Sequence, residues 1–331
     1  MAAITNTLIT DTMTAILEDL DTVIRNIAPT EVPIYSNAMK GTASNAAAHE
    51  WLTDTFRAPR NVPTAEGNDT TFEALTQPTR LVNSCQIADD EGIVSGTANA
   101  VDAAPTSQRE IVRQTIKKGR EVRRDIEVII AANVAKANTD PRALASLATW
   151  ITNGSVGATG ALATGDGTDA VTEGTARALT VALVDTAMQS AYVAGGQPSM
   201  LVMDAPTKTK WSKLNFAGGG TDVAALEATR TAPVPMTSVG AVNKYITDFG
   251  DLDVVPNRFL DPAGLTALDN QVVYLLDSSW YGVDTLPDRS FSSEPLAKTG
   301  DAAKFLVLWE GTLKVHNQGA HAAIFDIDSS L

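Results

Sequence analysis

One cysteine, Cys85, occurs in 331 residues. No internal disulfide can form, so the fold must hold without one, as suits a reducing compartment. As a nucleophile Cys85 would need a histidine partner, and only His49, His316 and His321 are present; a buried structural thiol is the simpler expectation. The histidines lack metal-site spacing too. His316 and His321, in HNQGAH, fit neither an i,i+4 helical pair nor a zinc-binding HE pair, and are expected at the surface or a strand edge. Aromatics make up 5% of the chain, so its cores must be built from small side chains. No apolar run approaches the ~20 residues of a membrane-crossing helix. The opening MAAITNTLITDTMTAILEDLDT has no basic n-region, so no secretory leader is expected. Positive charge is scarce as well, with 25 Lys and Arg against 39 Asp and Glu, a net −14. That balance argues against a surface devoted to nucleic acid or anionic lipid, because both need clustered cations.

Catalytic motifs are missing in the same way. There is no Gly-x-Ser-x-Gly elbow. The DFG at 248–250 has none of the other kinase segments. The glycine-rich stretches 154–167 and 218–220 lack both the P-loop and the strand–GxGxxG–helix context. The Asp-x-Asp at 251–253 lacks further oxygen donors in register. No cofactor or metal is therefore expected. The one reading in the enzyme class is an acidic cytosolic enzyme with a loop-built site in 204–261.

What is present is a mixed α+β pattern with 44% hydrophobic residues, enough for an ordered chain. Residues 11–28 read as an amphipathic helix stopped by Pro29. Residues 29–50 are small and polar, an arm that packs on something else. EWLTDTF and RLVNSCQIADDEGIVSGT read as strands around a loop of about twenty residues, long enough to suggest a projecting or functional element. A helix is expected over 106–138, capped at Thr106 or Ser107, and a second over 172–194 with Leu179, Leu183, Ala187, Ala191 and Ala194 inward. SMLVMD, VNKYITDFG, DLDVVPNRF and QVVYLLDSSWYGV read as strands. So does 304–316, with Phe305, Val307, Trp309, Leu313 and Val315 on one face.

The 106–138 helix concentrates the scarce positive charge: Arg109, Arg113, Lys117, Lys118, Arg120, Arg123 and Arg124 fall in sixteen residues. Placed at 100° per residue, Val112, Ile116, Gly119, Val122, Ile126, Ile130 and Val134 form an apolar face. Arg113, Lys117, Arg120 and Arg124 form a basic stripe, with Glu110, Glu121 and Asp125 beside it. Lys117–Glu121 and Arg123–Glu127 are i,i+4 pairs, and Glu110–Arg113 and Glu121–Arg124 can meet at i,i+3, each worth a few tenths of a kcal/mol. Lys118 and Arg120 have no local partner, which points to acids outside the helix.

Several segments follow in order along nearly the whole chain: IRNIAPTEVPIYS (24–36), HEWLTDTF (49–56), AEGNDTTF (65–72), RLVNSCQI (80–87), VSGTANAV (94–101), KKGREVRRDIEVIIAANVA (117–135) and the run 280–324 from WYGVDTLPDRSF to HNQGAHAAI. In this order they resemble the major capsid proteins of tailed bacteriophages with the HK97-type fold. The resemblance is to the subgroup with an N-terminal helix, a P-T-x-x-P arm and a W…D strand before a long loop. It implies an N-terminal helix and arm over 1–48 and an extended loop, the E-loop, over 49–92. It further implies a peripheral (P) domain over 93–150 with 106–138 as its spine helix, an axial (A) domain over 151–280 and a return to the P-domain sheet over 281–331. The implied role is a structural shell subunit, tiling as hexamers and pentamers around double-stranded phage DNA without reading its sequence. The implied partners are other copies of itself, with scaffolding, decoration and portal proteins; no membrane is involved. Assembly would take place in the host bacterial cytoplasm. Assembly contacts are expected at Arg113, Lys117, Arg120 and Arg124 on the helix, and at Trp51, Arg57, Arg60 and Glu66 in the E-loop. An encapsulin-like compartment shell keeps the same fold with a different content.

Overall fold

The computed structural model describes residues 29–45, 48–69, 72, 74–100, 109–216, 242–260, 268–298 and 300–328. The helix expected at 11–28, the cap at Thr106 or Ser107 and the glycine run 218–220 lie outside these residues.

Short helix α1 (Pro33–Asn37) and strand β1 (Met39–Thr42) come first, then β2 (His49–Thr53), β3 (Thr79–Asn83) and β4 (Gln86–Ser95). Helices α2 (Gly96–Ala100), α3 (Glu110–Ala131) and α4 (Leu147–Trp150) follow, then β5 (Asn153–Ser155), α5 (Val181–Val193), β6 (Met200–Met203) and α6 (Ala205–Phe216). The remaining strands are β7 (Lys244–Thr247), β8 (Gly250–Pro256), β9 (Gln271–Leu276), β10 (Tyr281–Thr285), β11 (Ser292–Leu296), β12 (Ala302–Val315) and β13 (Ala322–Ile327).

One sheet runs β1-β10-β12-β11, with β4 also paired to β12. Strand β12 is long enough to serve three partners: β4 along 302–311, β11 along 304–308 and β10 along 311–315. Its apolar face is the expected one, with Phe305, Val307, Trp309, Leu313 and Val315 all buried. Helix α3 packs on β4 and β12, and its Val122, Ile126 and Ile130 close this core.

A six-stranded sheet runs β5-β13-β9-β6-β8-β7. Its central strands are covered on both faces, which is why SMLVM and QVVYLL are continuous apolar runs and not alternating ones. Side chains still point to opposite faces with period two. Leu201, Met203, Val273, Leu275 and Ile324 meet Val184, Ala187 and Met188 of α5 and Trp211 of α6. Val202, Tyr274, Leu276, Ala323 and Phe325 join the core that holds α3.

Four expectations are corrected. Helix α3 ends at Ala131, not at Asn138. Ala132 is extended, the Asn133 side chain pairs with both backbone groups of Val171, and the Val134 N–H donates to Ser146. From Ala132 onward the apolar run is thus partly buried extended chain, because the Asn133 amide and the Ser146 hydroxyl replace the helical bonds. Helix α5 starts at Val181, not 172, where Thr180 caps it by accepting from the Leu183 N–H; the preceding residues form isolated bridges, Thr172 to Ala161 and Arg177 to Ile327. Its inward face is Val184, Ala187, Met188 and Ala191. The single strand expected over 271–283 is two, β9 and β10, split by a turn in which Ser279 N–H donates to the Asp277 carboxylate. That turn carries the chain from one sheet to the other. Finally, the stretch 281–331 does not stay in the first sheet: β13 crosses back and pairs with β5 and β9. Its six residues are all buried, so it needs a central place with both faces covered.

His321, expected near the surface, is fully buried at the start of β13, where its Nδ1 accepts from Asp277 N–H at 3.2 Å. Burial drives its pKa down to about 4, so the folded state holds it neutral. The unfolded chain binds this proton near 6.5 and the folded chain only near 4. The stability tied to the neutral ring is complete above pH 6.5 and is lost as pH falls towards 4. Urea melts should therefore show a loss on the order of 2–4 kcal/mol over that interval that His321→Gln removes. Identical pH profiles for the two proteins would refute it.

Candidate functional site

The arm, the long helix and the six-stranded sheet meet at one buried carboxylate. Glu127, on the inward side of α3, accepts from the backbone N–H of Ile34 at 2.9 Å and of Tyr35 at 2.8 Å, in α1. It also accepts from Asn257 Nδ2 at 2.7 Å, just after β8. Tyr281 Oη donates to the Ile34 carbonyl at 3.0 Å, so β10 grips the same turn of the arm. Burial pushes the Glu127 carboxyl above its ordinary range even though three donors favour the anion. The Arg123–Glu127 pair expected from i,i+4 spacing does not form, because Glu127 faces inward while Arg123 lies over the Phe291 ring at 5.3 Å.

The charged half of α3 faces outward. Arg113 bonds Glu110, and the donated hydrogen bonds draw the Glu110 carboxyl down to about 2. Lys117 lies 3.8 Å from Glu121. Lys118 finds its partner outside the helix, Asp90 on β4 at 2.9 Å, and also reaches Glu121 at 3.0 Å. Arg120 is exposed. Arg124 stacks over Phe259 at 5.4 Å. Between these charges Val112 and Ile116 are 45% and 49% exposed, so the apolar stripe is buried only in its second half. Among the described residues, and apart from the backbone of α3 itself, nothing lies within 4 Å of where a side chain on Gly119 would start.

The β2–β3 ribbon is anchored at its base. Trp51, expected among the assembly contacts, is 6% exposed: its Nε1 donates to the Val315 carbonyl and its ring packs 5.3 Å from Trp150. His49 Nε2 meets Asp284 at 2.9 Å, with both side chains buried. Burial opposes the Asp284 charge, but the His49 hydrogen bond and nearby Lys314 hold its carboxyl below the ordinary range. Gly41 lies flat against this carboxylate, where a Cβ would collide with it. Beyond Thr53 the chain leaves the body. Every residue of 54–69 is exposed, including Arg57, Arg60 and Glu66. Phe56 and Val62 lie along this stretch, and Phe72 and Leu75, both 95% exposed, lie beyond it.

Sequence reasoning placed Arg57, Arg60 and Glu66 in a projecting loop and the basic stripe on one long helix. It missed Glu127 as a junction and Asp90 as the partner of Lys118, since both contacts join segments far apart in sequence. Among the described residues no group of three His, Cys, Asp or Glu could hold a metal, and no helix is long and apolar enough to cross a membrane. The described residues form a two-sheet body, an arm latched to it through Glu127 and a loop beyond Thr53 that exposes Phe56, Val62, Phe72 and Leu75.

In fold the chain is similar to the capsid of a native GTA particle, with TM-score 0.61 and 12% identity over 95% of this chain and 96% of that one. It is likewise similar to Gordonia phage Cozz, with TM-score 0.56 and 10% identity over 95% and 92%. The SrpI encapsulin of Synechococcus elongatus PCC 7942 shares the fold at TM-score 0.53 and 12% identity over 96% and 94%. At these identities the likeness is one of fold, the HK97-type fold. No curated protein matches by sequence. The family model of the SU10 major capsid protein matches residues 3–328. The chain thus belongs to the SU10 major capsid protein family, whose members are structural components of the virion shell and not enzymes.

Proposed function

We propose that copies of this chain tile as hexamers and pentamers into an icosahedral head around double-stranded DNA, assembling in the host bacterial cytoplasm. The observation that carries this reading is the set of exposed apolar side chains Phe56, Val62, Phe72 and Leu75 on the connection between β2 and β3, uncovered among the described residues. Large exposed apolar side chains on an ordered protein mark a surface meant to be covered. In this reading α3 is the spine helix and the E-loop is narrower than 49–92: it is the projecting chain between β2 and β3, laid over a neighbour, whereas β4 at 86–95 belongs to the β12 sheet. The β12 sheet with α3 forms the P-domain, and the six-stranded sheet with α5 and α6 forms the A-domain. Arg57, Arg60 and Glu66 meet neighbours through the loop, and Arg113, Lys117, Arg120 and Arg124 through the helix; Trp51 holds the loop's base. Scaffolding, decoration and portal proteins complete the list of partners. The net charge of −14 suits a shell that must not grip its genome, since the repulsion extends only about one Debye length, ~8 Å.

Arg120 and Arg124 offer a direct test. Arg120 is exposed and Arg124 lies over the Phe259 ring, so Arg120→Glu with Arg124→Glu loses one ring contact within the subunit and thermal melting should shift by only a few degrees. Particle yield, measured by light scattering and sedimentation, should fall at least tenfold, about the effect of losing one charged interfacial contact per copy. Normal particles from the double variant would remove the helix stripe from the contact surface. A wild-type chain that stays monomeric under every assembly condition would remove the shell reading itself.

A further inference from the structure

An open cleft of about 420 Å³ lies between the arm, α3 and the β10–β11 connection. Its lining includes Tyr35, Ser36, Lys40, Arg123, Ser290 and Phe291. Two cations face it in a chain whose acids outnumber its bases 39 to 25. Lys40 sits 3.4 Å above the Tyr35 ring and donates to the Tyr35 carbonyl. Arg123 lies over the Phe291 ring. Neither has a carboxylate at ion-pair distance among the described residues, although Glu127 is close enough to act on Lys40 through space. The Glu127 oxygens are already taken by Ile34, Tyr35 and Asn257. Two aromatic faces thus hold two cations in place beside hydroxyl groups, a setting that suits an anion of carboxylate size.

We infer that this cleft is a receptor for the carboxylates at the tip of the projecting loop, Glu66 and Asp69, of a second copy of the chain. The tip supplies the missing half of the ion pair. Both acids lie on or beside the exposed turn at Gly67, which has φ +77°, and neither is ion-paired among the described residues. Among the described residues nothing covers the loop's Phe56, Val62, Phe72 and Leu75, which directs the loop to a second copy. This inference rests on the shell reading above, and it names one contact within it. An inter-copy pair of this kind fixes register as well as adding affinity, because the cleft accepts a tip only where both cations are met.

The test is a fluorescence-anisotropy titration of a labelled peptide with the sequence of residues 62–72 against the full chain, kept dispersed below its assembly concentration. Saturable binding that weakens with added salt is expected. Glu66→Gln with Asp69→Asn in the peptide should weaken it about tenfold or more, and so should Lys40→Gln with Arg123→Gln in the protein. The peptide variant needs no altered protein to fold. Equal binding of the neutral peptide, or no binding at millimolar peptide, would overturn the inference. A duplex DNA oligonucleotide that binds through Lys40 and Arg123 where the peptide does not would overturn it too, reassigning the cleft to phosphate. Light scattering on the same wild-type preparation separates the two claims. Particles without peptide binding would sink only the cleft assignment, whereas peptide binding without particles under any condition would sink the shell reading.

Discussion

Replacing Glu127 with alanine should lower the free energy of unfolding by about 3–5 kcal/mol and abolish particle formation. The side chain is fully buried, and its loss leaves three donors, on Ile34, Tyr35 and Asn257, facing a void. Each unpaired buried donor costs about 1–3 kcal/mol, and the sum is limited because α1 can peel away to water. That escape is the functional damage, since it frees the arm from α3 and from the β8 end at once. Glu127→Gln should cost less, about 1–2 kcal/mol. It removes a charge that burial already opposes, but it turns one acceptor into a donor against a donor. Urea melts of the three proteins, read with particle counts, check the order wild type, glutamine, alanine. A loss below about 1 kcal/mol for alanine would mean that the junction is not holding the arm.

The second large effect falls on assembly alone. Phe56→Ser, Phe72→Ser and Leu75→Ser together should leave the melting of the isolated subunit within about a degree of wild type, since surface changes away from packed features stay within ±0.5 kcal/mol. All three side chains are essentially fully exposed in one subunit. If they are covered by a neighbour, each contributes about 1.5–3 kcal/mol when buried. The triple variant then loses roughly 4.5–9 kcal/mol per loop, more than a thousandfold in association. Sedimentation should show subunits in place of particles. Intact particles from this variant would show that the loop is decoration and not a joint. A subunit that melts early would show that the loop covers its own body.

The parts of the fold that could be read from sequence are those set by local periodicity. The β12 face from Phe305 to Val315 and the buried stripe Val122, Ile126 and Ile130 were visible because period two and period 3.6 write themselves into the chain. The parts that could not be read are set by distant contacts. Glu127 looked like the partner of Arg123, four residues away, but its partners are 93 and 130 residues away. Lys118 looked unpaired because Asp90 belongs to another element. Helix α3 stops early because Asn133 finds Val171; the asparagine is a weak helix-end residue, and the apolar residues on both sides of it mask the stop. The strand QVVYLLDSSWYGV conceals a change of sheet in its middle, marked only by the Asp-Ser-Ser turn. His321 in HNQGAH carries no local sign of burial; the sheet topology that returns β13 to the second sheet is what encloses it. For the candidate contact surface, the projecting loop and the charged helix were legible as an overlong connection and a cluster of cations. The cleft at Lys40 and Arg123 was not, because it exists only where the arm crosses α3.

A latched arm and an exposed apolar loop together imply a subunit whose surface is complete only among its copies. Electron microscopy of the purified full chain, concentrated through its assembly range with and without a co-expressed scaffold, tests this most directly. Closed, roughly spherical shells of uniform diameter are expected, with five-fold and six-fold capsomers on their surface. Fields containing only dispersed subunits across the whole range, from protein that melts cooperatively, would contradict it.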